Sequence, residues 1–485
     1  MQRITIDPIT RLEGHGKIEI FLNEEGDVSN TYFQIPELRG FERFCVGRPV
    51  EEMPLLTNRI CGVCPEAHHM AAAKAGDAVY HVDPPRTAKL LRELLYSGFY
   101  FTDHTTHFYA LAGPDFVMGP NAPVAERNIL GVIHKVGLEI GGKVIQARHN
   151  GHHIVETIGG RKVHPATSIP GGMTKGITKA QAEELKQLGE WGVDFAQFSL
   201  KLFKDMVLPQ YKDLILGDVY LHKTYYIGQL DANKKINFYD GKISVVDPDG
   251  VRIGMYGPNE YTDWIAEHVE PWTYLKFPYL KKIGWKGFVD GKDSGVYVSS
   301  PLSRLNASDG MATPRAQEQY DEFYATLGKP VHHRLATHWA RLIELLYAAE
   351  RIVELASDPE IYSDNFHTVP TEKPTEGIGI VEAPRGLLTH HYKTDERGLL
   401  TKVNLIVGTT NNYAPIQMDT KRVAQKLITK GTIVTEGLTN MIEMAFRVYD
   451  PCFGCATHSL PGQMPLEVIV RAPDGEVLRE FKQNC

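Results

Sequence analysis

The sequence predicts an α+β fold that is predominantly α-helical: long helices packed as a bundle, with smaller β-containing parts at the N-terminus, in an insertion and near the C-terminus. Three observations predict it. Apolar residues recur at helical spacing through much of 46–210 and 315–358. Alternating, strand-like segments gather in 1–45, 217–300 and 377–410. No internal repeat or low-complexity tract breaks the chain.

The elements follow in order. Residues 3–35 alternate apolar and polar side chains. Ile4, Ile6, Ile18, Ile20 and Tyr32-Phe33 fit two or three strands around a turn at Asn23-Glu24-Glu25-Gly26-Asp27. Pro84-Pro85 opens a helix through Leu90, Leu91, Leu94, Leu95 and Phe99 that stops near Gly113-Pro114. A second helix covers Val124–Gln146. Thr178-x-x-Gln181 is a capping box for a third, reaching about Val207. Residues 217–300 change character, with Tyr225-Tyr226-Ile227, Ile243 and Val245-Val246 set between Asp-Gly turns, an α/β or mostly β insertion. Leu335, Trp339, Leu342, Leu346, Ala349 and Val353 step by four and three, a core-facing stripe on a fourth helix. Strand signal returns at 377–407. A last helix at 435–449 runs into Asp450-Pro451-Cys452, and 466–481 spell a hairpin around Pro473-Asp474-Gly475. Residues 1–458 read as one domain and 459–485 as an extension.

Composition excludes several classes. With Lys+Arg 52 against Asp+Glu 59 the chain is mildly acidic, which gives no global attraction to nucleic acid or anionic lipid. No run of 18 apolar residues exists, so no membrane span is expected, and the polar start MQRITIDPITRLEGH lacks a signal region. A cytoplasmic protein is expected.

Six cysteines in 485 residues are no disulfide scaffold. Four form two pairs near opposite ends of the chain, Cys61-Gly-Val-Cys64 and Cys452-Phe-Gly-Cys455. Each pair can present two thiolates to one metal ion. Spacing alone leaves open a structural zinc, a redox dithiol or a soft transition metal. Zinc ribbons close small loops, whereas nearly the whole chain separates these pairs. A His follows each pair (His68 and His458), and Gly62 and Gly454 allow close backbone approach.

On its motifs, the sequence resembles the large subunit of nickel–iron hydrogenases from end to end. Arg11-Leu12-Glu13-Gly14-His15, Arg39-Gly40-Phe41-Glu42, Arg59-x-Cys61-Gly62-x-Cys64-x-x-x-His68, Gly160-Arg161-x-x-His164-Pro165, Glu382-Ala383-Pro384-Arg385-Gly386 and Asp450-Pro451-Cys452-x-x-Cys455-x-x-His458 occur in the family's order. The resemblance implies a buried centre with nickel on Cys61, Cys64, Cys452 and Cys455, and with Cys64 and Cys455 shared with an iron that carries CO and cyanide. It implies reversible, heterolytic cleavage of H2, with Glu13 receiving the proton from the thiolate side and Cys452 and Arg385 as further catalytic residues. Pro384 and Thr409 are expected around the iron's inorganic ligands, Asp103 and Asp450 orienting Arg385, and His68 on a bridging thiolate. Gly408 stands where the family often has Pro. Glu42, the Leu405 carbonyl and His458 match a magnesium site.

The family also implies partners. A four-iron cluster wants four ligands, and only Cys45 and Cys485 remain, so a small subunit must carry the iron–sulfur clusters. Further electron-transfer subunits follow, with a flavin-containing heterodisulfide reductase system the expected acceptor and NAD-, deazaflavin- or sulfur-linked systems close variants. A maturation endopeptidase is expected to remove 459–485. Three rival readings remain: the related quinone-site subunit of respiratory complex I, which lacks the four thiolates; a zinc-bearing scaffold; and a regulatory H2 sensor.

Overall fold

The computed structural model describes residues 3–457 and the backbone of strands Leu466–Arg471 and Val477–Gln483. Four long helices, Arg86–Thr106, Leu138–Gly159, Lys179–Leu202 and Thr337–Ala356, pack against one another as the expected bundle. Thr337–Ala356 is central and buried on nearly every face, including Leu342 and Leu346 of the predicted stripe. The capping box forms as expected: Gln181 N donates to Thr178 Oγ1 (3.2 Å) and Thr178 N to Gln181 Oε1 (2.9 Å).

The β parts also form. Arg3–Ile6, Lys17–Leu22 and Val28–Gln34 make an antiparallel three-stranded sheet. In the insertion, Tyr225–Leu230, Lys242–Val246 and Arg252–Tyr256 pair antiparallel, with Tyr297–Val298 added in parallel. Glu376–Ala383, Gly386–Thr394 and Leu400–Ile406 form a third sheet. Val468 opposite Phe481 sets the register of the last hairpin.

Three helices differ from expectation. The run expected over 124–146 is two helices, Ile129–Val136 and Leu138–Gly159. Asn128 Oδ1 caps the first by accepting from Leu130 N and Gly131 N, and Gly137 at φ 92° breaks the chain direction. The helices expected to reach Gly113 and Val207 keep α geometry only to Thr106 and Leu202. Each then widens into a π segment, His107–Ala112 and Phe203–Val207.

One packing contact matters for the site. Helix Pro65–Val79 starts directly after Cys64, with Pro65 in its first turn. Its face carries Ala67, Ala71, Ala72 and Ala75, small enough for strand Glu376–Ala383 to lie on it. A Cβ at Gly379 would stand 2.1 Å from Ala71 O. This contact brings the Glu382–Gly386 loop beside the first cysteine pair. Gly379→Ala is therefore expected to cost at least about 1–3 kcal/mol by overpacking and to lower the apparent Tm by several degrees in a thermal melt; an unchanged Tm would refute the contact.

Candidate metal centre

The four cysteines converge from two loops. Cys61 ends the turn Thr57–Ile60, and Cys64 caps helix Pro65–Val79. The N–H groups of Val63 and Cys64 donate to Cys61 Sγ at 3.1 and 3.2 Å, which folds this loop around its own sulfur. Helix Glu436–Arg447 delivers the second pair, through Asp450 at φ 54° and Pro451. Cys452 then caps the short helix Phe453–Ala456. Across the loops Cys61 Sγ lies 3.2 Å from Cys452 Sγ and Cys64 Sγ 3.4 Å from Cys455 Sγ; within the second pair the sulfurs are 2.8 Å apart. All four sulfurs fall within 4.8 Å of one another and all are buried.

Glu13 is bound to this loop twice. Its backbone runs parallel to Cys452: Glu13 N donates to Pro451 O (3.4 Å) and Phe453 N to Glu13 O (3.0 Å). Its carboxylate accepts from the Cys452 thiol (2.8 Å) and from Gly454 N (3.0 Å), both on Oε2. Two residues upstream, Arg11 donates to Leu111 O (3.0 Å) in the π segment, to Asn440 (2.8 Å) and to Asp115 (2.5 Å). Arg447 reaches Asp115 as well (2.7 Å). One buried carboxylate therefore ties the Glu13 segment to the helix that delivers Cys452.

Arg385 is 3 % exposed and pairs with Asp103 (2.9 Å) and Asp450 (3.0 Å). Burial opposes its charge, but those carboxylates and the Cys64 and Cys452 sulfurs outweigh it and hold the guanidinium firmly protonated. Its loop is fixed from behind by Arg304, which the sequence did not single out. Arg304 pairs with Glu344 (2.6 Å) and Glu382 (2.9 Å) and donates to Ala383 O (3.0 Å) and Pro384 O (3.1 Å), all without contact with solvent. Nothing local marks Arg304, because its partners lie 40 to 80 residues away.

The thiols hold charge unequally. Hydrogen bonds from Cys452, Cys455 and Cys64 pull Cys61 well below the usual thiol range, with Arg385 adding to them against burial. Cys64 is pushed up to about 11: hydrogen bonds from Cys452 and Cys455 favour its thiolate, but Cys61 and burial outweigh them. Burial, then the neighbouring sulfurs, raise Cys452 far above the ordinary value; burial does the same for Cys455, with Cys61 and Cys64 adding to it against the hydrogen bond with Cys452. Four thiolates packed this closely away from water require a cation among them. A soft metal with thiolate bonds of about 2.3 Å suits the spread of the four sulfurs, so the donor set fits nickel by both charge and chemistry. Glu13 is raised by burial and by the Cys61 charge, against its hydrogen bonds from Cys452 and Gly454. Burial and Asp103 push Asp450 up to about 8 in spite of Arg385.

The other expected residues fall as follows. Thr409 Oγ1 accepts from Cys452 N (2.8 Å). His68 Nδ1 lies 3.1 Å from His390 Nε2. Glu42 Oε1 accepts from Leu405 N (2.7 Å), which brings those two together. His458 lies outside the described residues. A cavity of about 180 Å³ opens beside the first pair, lined by Val63, Glu66, Thr102, Asp103, Arg148 and His152.

Comparison with known proteins gives these features a family. Residues 39–129 and 295–458, which hold all four cysteines, match the model of nickel-dependent hydrogenases, and 3–38 match one described as HoxL-like. The chain is 45% identical to an F420-non-reducing hydrogenase iron-sulfur subunit of Archaeoglobus profundus over 99% of its length and 100% of the relative. It is 36% identical to the NAD-reducing hydrogenase HoxS subunit beta of Cupriavidus necator, covering 99% of each. A crystal structure of an NAD+-reducing [NiFe]-hydrogenase in the H2-reduced state superposes with TM-score 0.86 at 35% identity, over 94% of this chain and 100% of that one. The Ni-Fe-Se hydrogenase of D. vulgaris Hildenborough, 24% identical with TM-score 0.75 over 94% and 100%, shares the fold. The chain belongs to the nickel-dependent hydrogenase family, as a large subunit. It is an oxidoreductase that acts on H2.

Around the centre, burial holds several histidines neutral. His104 is lowered to about 4 and His338 to about 3, burial being the leading cause for both. Their unfolded forms take up protons below about pH 6.5, while the folded forms do not until pH 4 or lower. Stability is therefore full above about pH 6.5 and falls as pH drops towards 4, by up to about 1.4 kcal/mol per histidine per pH unit. The apparent Tm is expected to fall steadily between pH 7 and 5; a flat profile would contradict neutral burial.

Proposed function

We propose that this chain oxidises H2 reversibly at a nickel–iron centre on Cys61, Cys64, Cys452 and Cys455, with Glu13 as the first proton relay. The observation that carries this reading is the 2.8 Å contact between the Cys452 thiol and Glu13 Oε2 inside a four-thiol cluster. When bound, the nickel with its iron supplies the soft Lewis acid that polarises H2 towards heterolysis. The protein's own groups then manage the proton. Cys452 Sγ holds it, and Glu13 Oε2 stands within hydrogen-bond reach to take it. Gly454 N–H keeps that oxygen aimed at the sulfur. Burial and the Cys61 charge raise the affinity of Glu13 for a proton, which suits it to take one from Cys452. Arg385, held by Asp103 and Asp450, keeps a fixed positive charge beside the sulfurs and suits the anionic cyanide and CO ligands expected on iron, with Pro384 and Thr409 closing that side. By the family analogy Glu42, the Leu405 carbonyl and His458 would hold a magnesium; here Glu42 meets the Leu405 backbone through its N–H.

Each H2 releases two electrons, and a cluster-bearing small subunit takes them. The Cys61–Cys64 loop reaches the surface at Val63, which with Leu38, Phe44 and Val163 exposes apolar side chains for that partner. The style of the Phe453–Gln463 segment favours delivery to a flavin/heterodisulfide reductase system; the F420-non-reducing relatives count against a deazaflavin acceptor, and the NAD-reducing relative keeps NAD the close alternative. Among the described residues no helix is long and apolar enough to cross a membrane, which agrees with a cytoplasmic setting. Removal of 459–485 by an endopeptidase completes the reading.

The test uses the natively matured complex. Elemental analysis should give nickel and iron, and infrared spectra should show metal-bound CO and cyanide stretches; zinc without those bands would sink the proposal. Cys452→Ser should abolish H2 turnover. Glu13→Gln should keep the metals but slow H2/D2O exchange by about 10²–10⁴-fold, and normal exchange would remove Glu13 from the relay. Reduction of heterodisulfide rather than NAD under H2 would assign the acceptor.

A further inference from the structure

The two cysteine loops are also joined on the outside of the site. Arg39 lies on the exposed stretch between strand Val28–Gln34 and helix Phe41–Cys45. Its Nη1 donates to Gly454 O (3.0 Å), between Cys452 and Cys455, and also to Ile60 O, directly before Cys61. Nη2 reaches Arg59 O at 3.4 Å, and the backbone N–H of Arg39 donates to Thr457 O at 2.8 Å. The guanidinium carbon sits 5.1 Å from the centre of the Phe41 ring, a cation–π contact that helps hold the side chain in place. One cation thus gathers carbonyls from segments nearly 400 residues apart, each next to a thiol.

The other ties on the second loop are of a different kind. Glu13 and Thr409 bind it from the buried side and belong to the Cys452 end. Their bonds go to that loop rather than to the Arg59–Cys61 backbone. Without Arg39, the two pairs would still be related through Arg385, whose partner Asp450 precedes the second pair, and through sulfur–sulfur contacts, which are repulsive once more than one thiol ionises.

We propose that Arg39 is a surface latch: a positioning residue that holds the two thiol pairs in register and sets how fast the metal enters and leaves. The latch rests on the reading that these four thiols hold nickel. Its forked, planar donor set is what the task needs, since carbonyls on two loops must be bonded at once. Before the small subunit docks, exposure makes Arg39 releasable without unfolding the core, so the second loop can swing aside while Glu13 and Thr409 still mark its seat.

The test compares wild type, Arg39→Gln and Arg39→Lys, each as the full-length chain from nickel-depleted cells and as the natively matured complex. In the nickel-free chains, hydrogen–deuterium exchange should quicken at least about fivefold in peptides covering 59–64 and 452–457 of the Gln variant. The helix Arg86–Thr106 should stay unchanged. In the matured complexes, nickel loss to a chelator should quicken about tenfold, with a broadened nickel paramagnetic resonance signal. Lysine, which keeps the charge but loses the planar fork, should recover less than half of both effects. Wild-type exchange in both loops of the Gln variant would overturn the latch. So would acceleration spread through Arg86–Thr106, which would make Arg39 a general brace; if the Gln variant fails to accumulate, the same two outcomes are read from the Lys variant. Absence of nickel from the wild-type complex would instead defeat the proposed function, while the exchange result in the nickel-free chain still decides whether the loops are coupled.

Discussion

Four sulfurs buried within 4.8 Å of one another impose the constraint on which the rest depends. Like charges at that spacing, away from water, cannot coexist unaided. The protein therefore surrounds the cluster with groups that make a multiply charged state tolerable: Arg385 beside it, backbone N–H groups on Cys61, and hydrogen bonds among the thiols themselves. Those groups need support in turn. Arg385 is buried only because Asp103 and Asp450 accompany it, and its loop stays put only because Arg304, Glu344 and Glu382 fill the space behind. Buried ion pairs of this kind are weak stabilisers, since desolvation offsets most of their attraction. Their value here is that neither partner can move without stranding the other.

The helical bundle serves the same end. Helix Arg86–Thr106 carries Asp103, and Thr337–Ala356 carries Glu344 and Arg341. Helix Pro65–Val79 starts at a ligand and is clamped by the strand that ends in the Arg385 loop. Where two helices widen into π segments, one carbonyl of the first segment, Leu111 O, is the one that Arg11 uses to hold the Glu13 segment. An irregularity in one element thus meets a need in another.

This division explains what the sequence revealed. The cysteine pairs were legible because two CxxC motifs declare thiols for a metal, whereas Glu13 and Arg385 were singled out only through the family resemblance. Helices with a regular stripe, such as the one through Leu342, were legible because period is a local property. The contacts of Arg304 and Arg39 were not, since the carboxylates that hold Arg304 lie 40 and 78 residues away and the carbonyls that hold Arg39 could come from any residue. The π turns escaped because a single extra residue barely disturbs a 3.6-residue pattern, and the split at Gly137 because apolar spacing continues across it. His390 beside His68 needed a contact over 322 residues.

The wide separation of the two cysteine pairs has a temporal side. Cys61 and Cys452 are 391 residues apart. At roughly 5–20 residues per second, the ribosome takes on the order of 20–80 s to make the second pair after the first. Through that interval the first pair, its helix and Glu13 exist as half a site. A truncated polypeptide would carry two thiols and no centre, so competence for the metal reports that synthesis has passed residue 455.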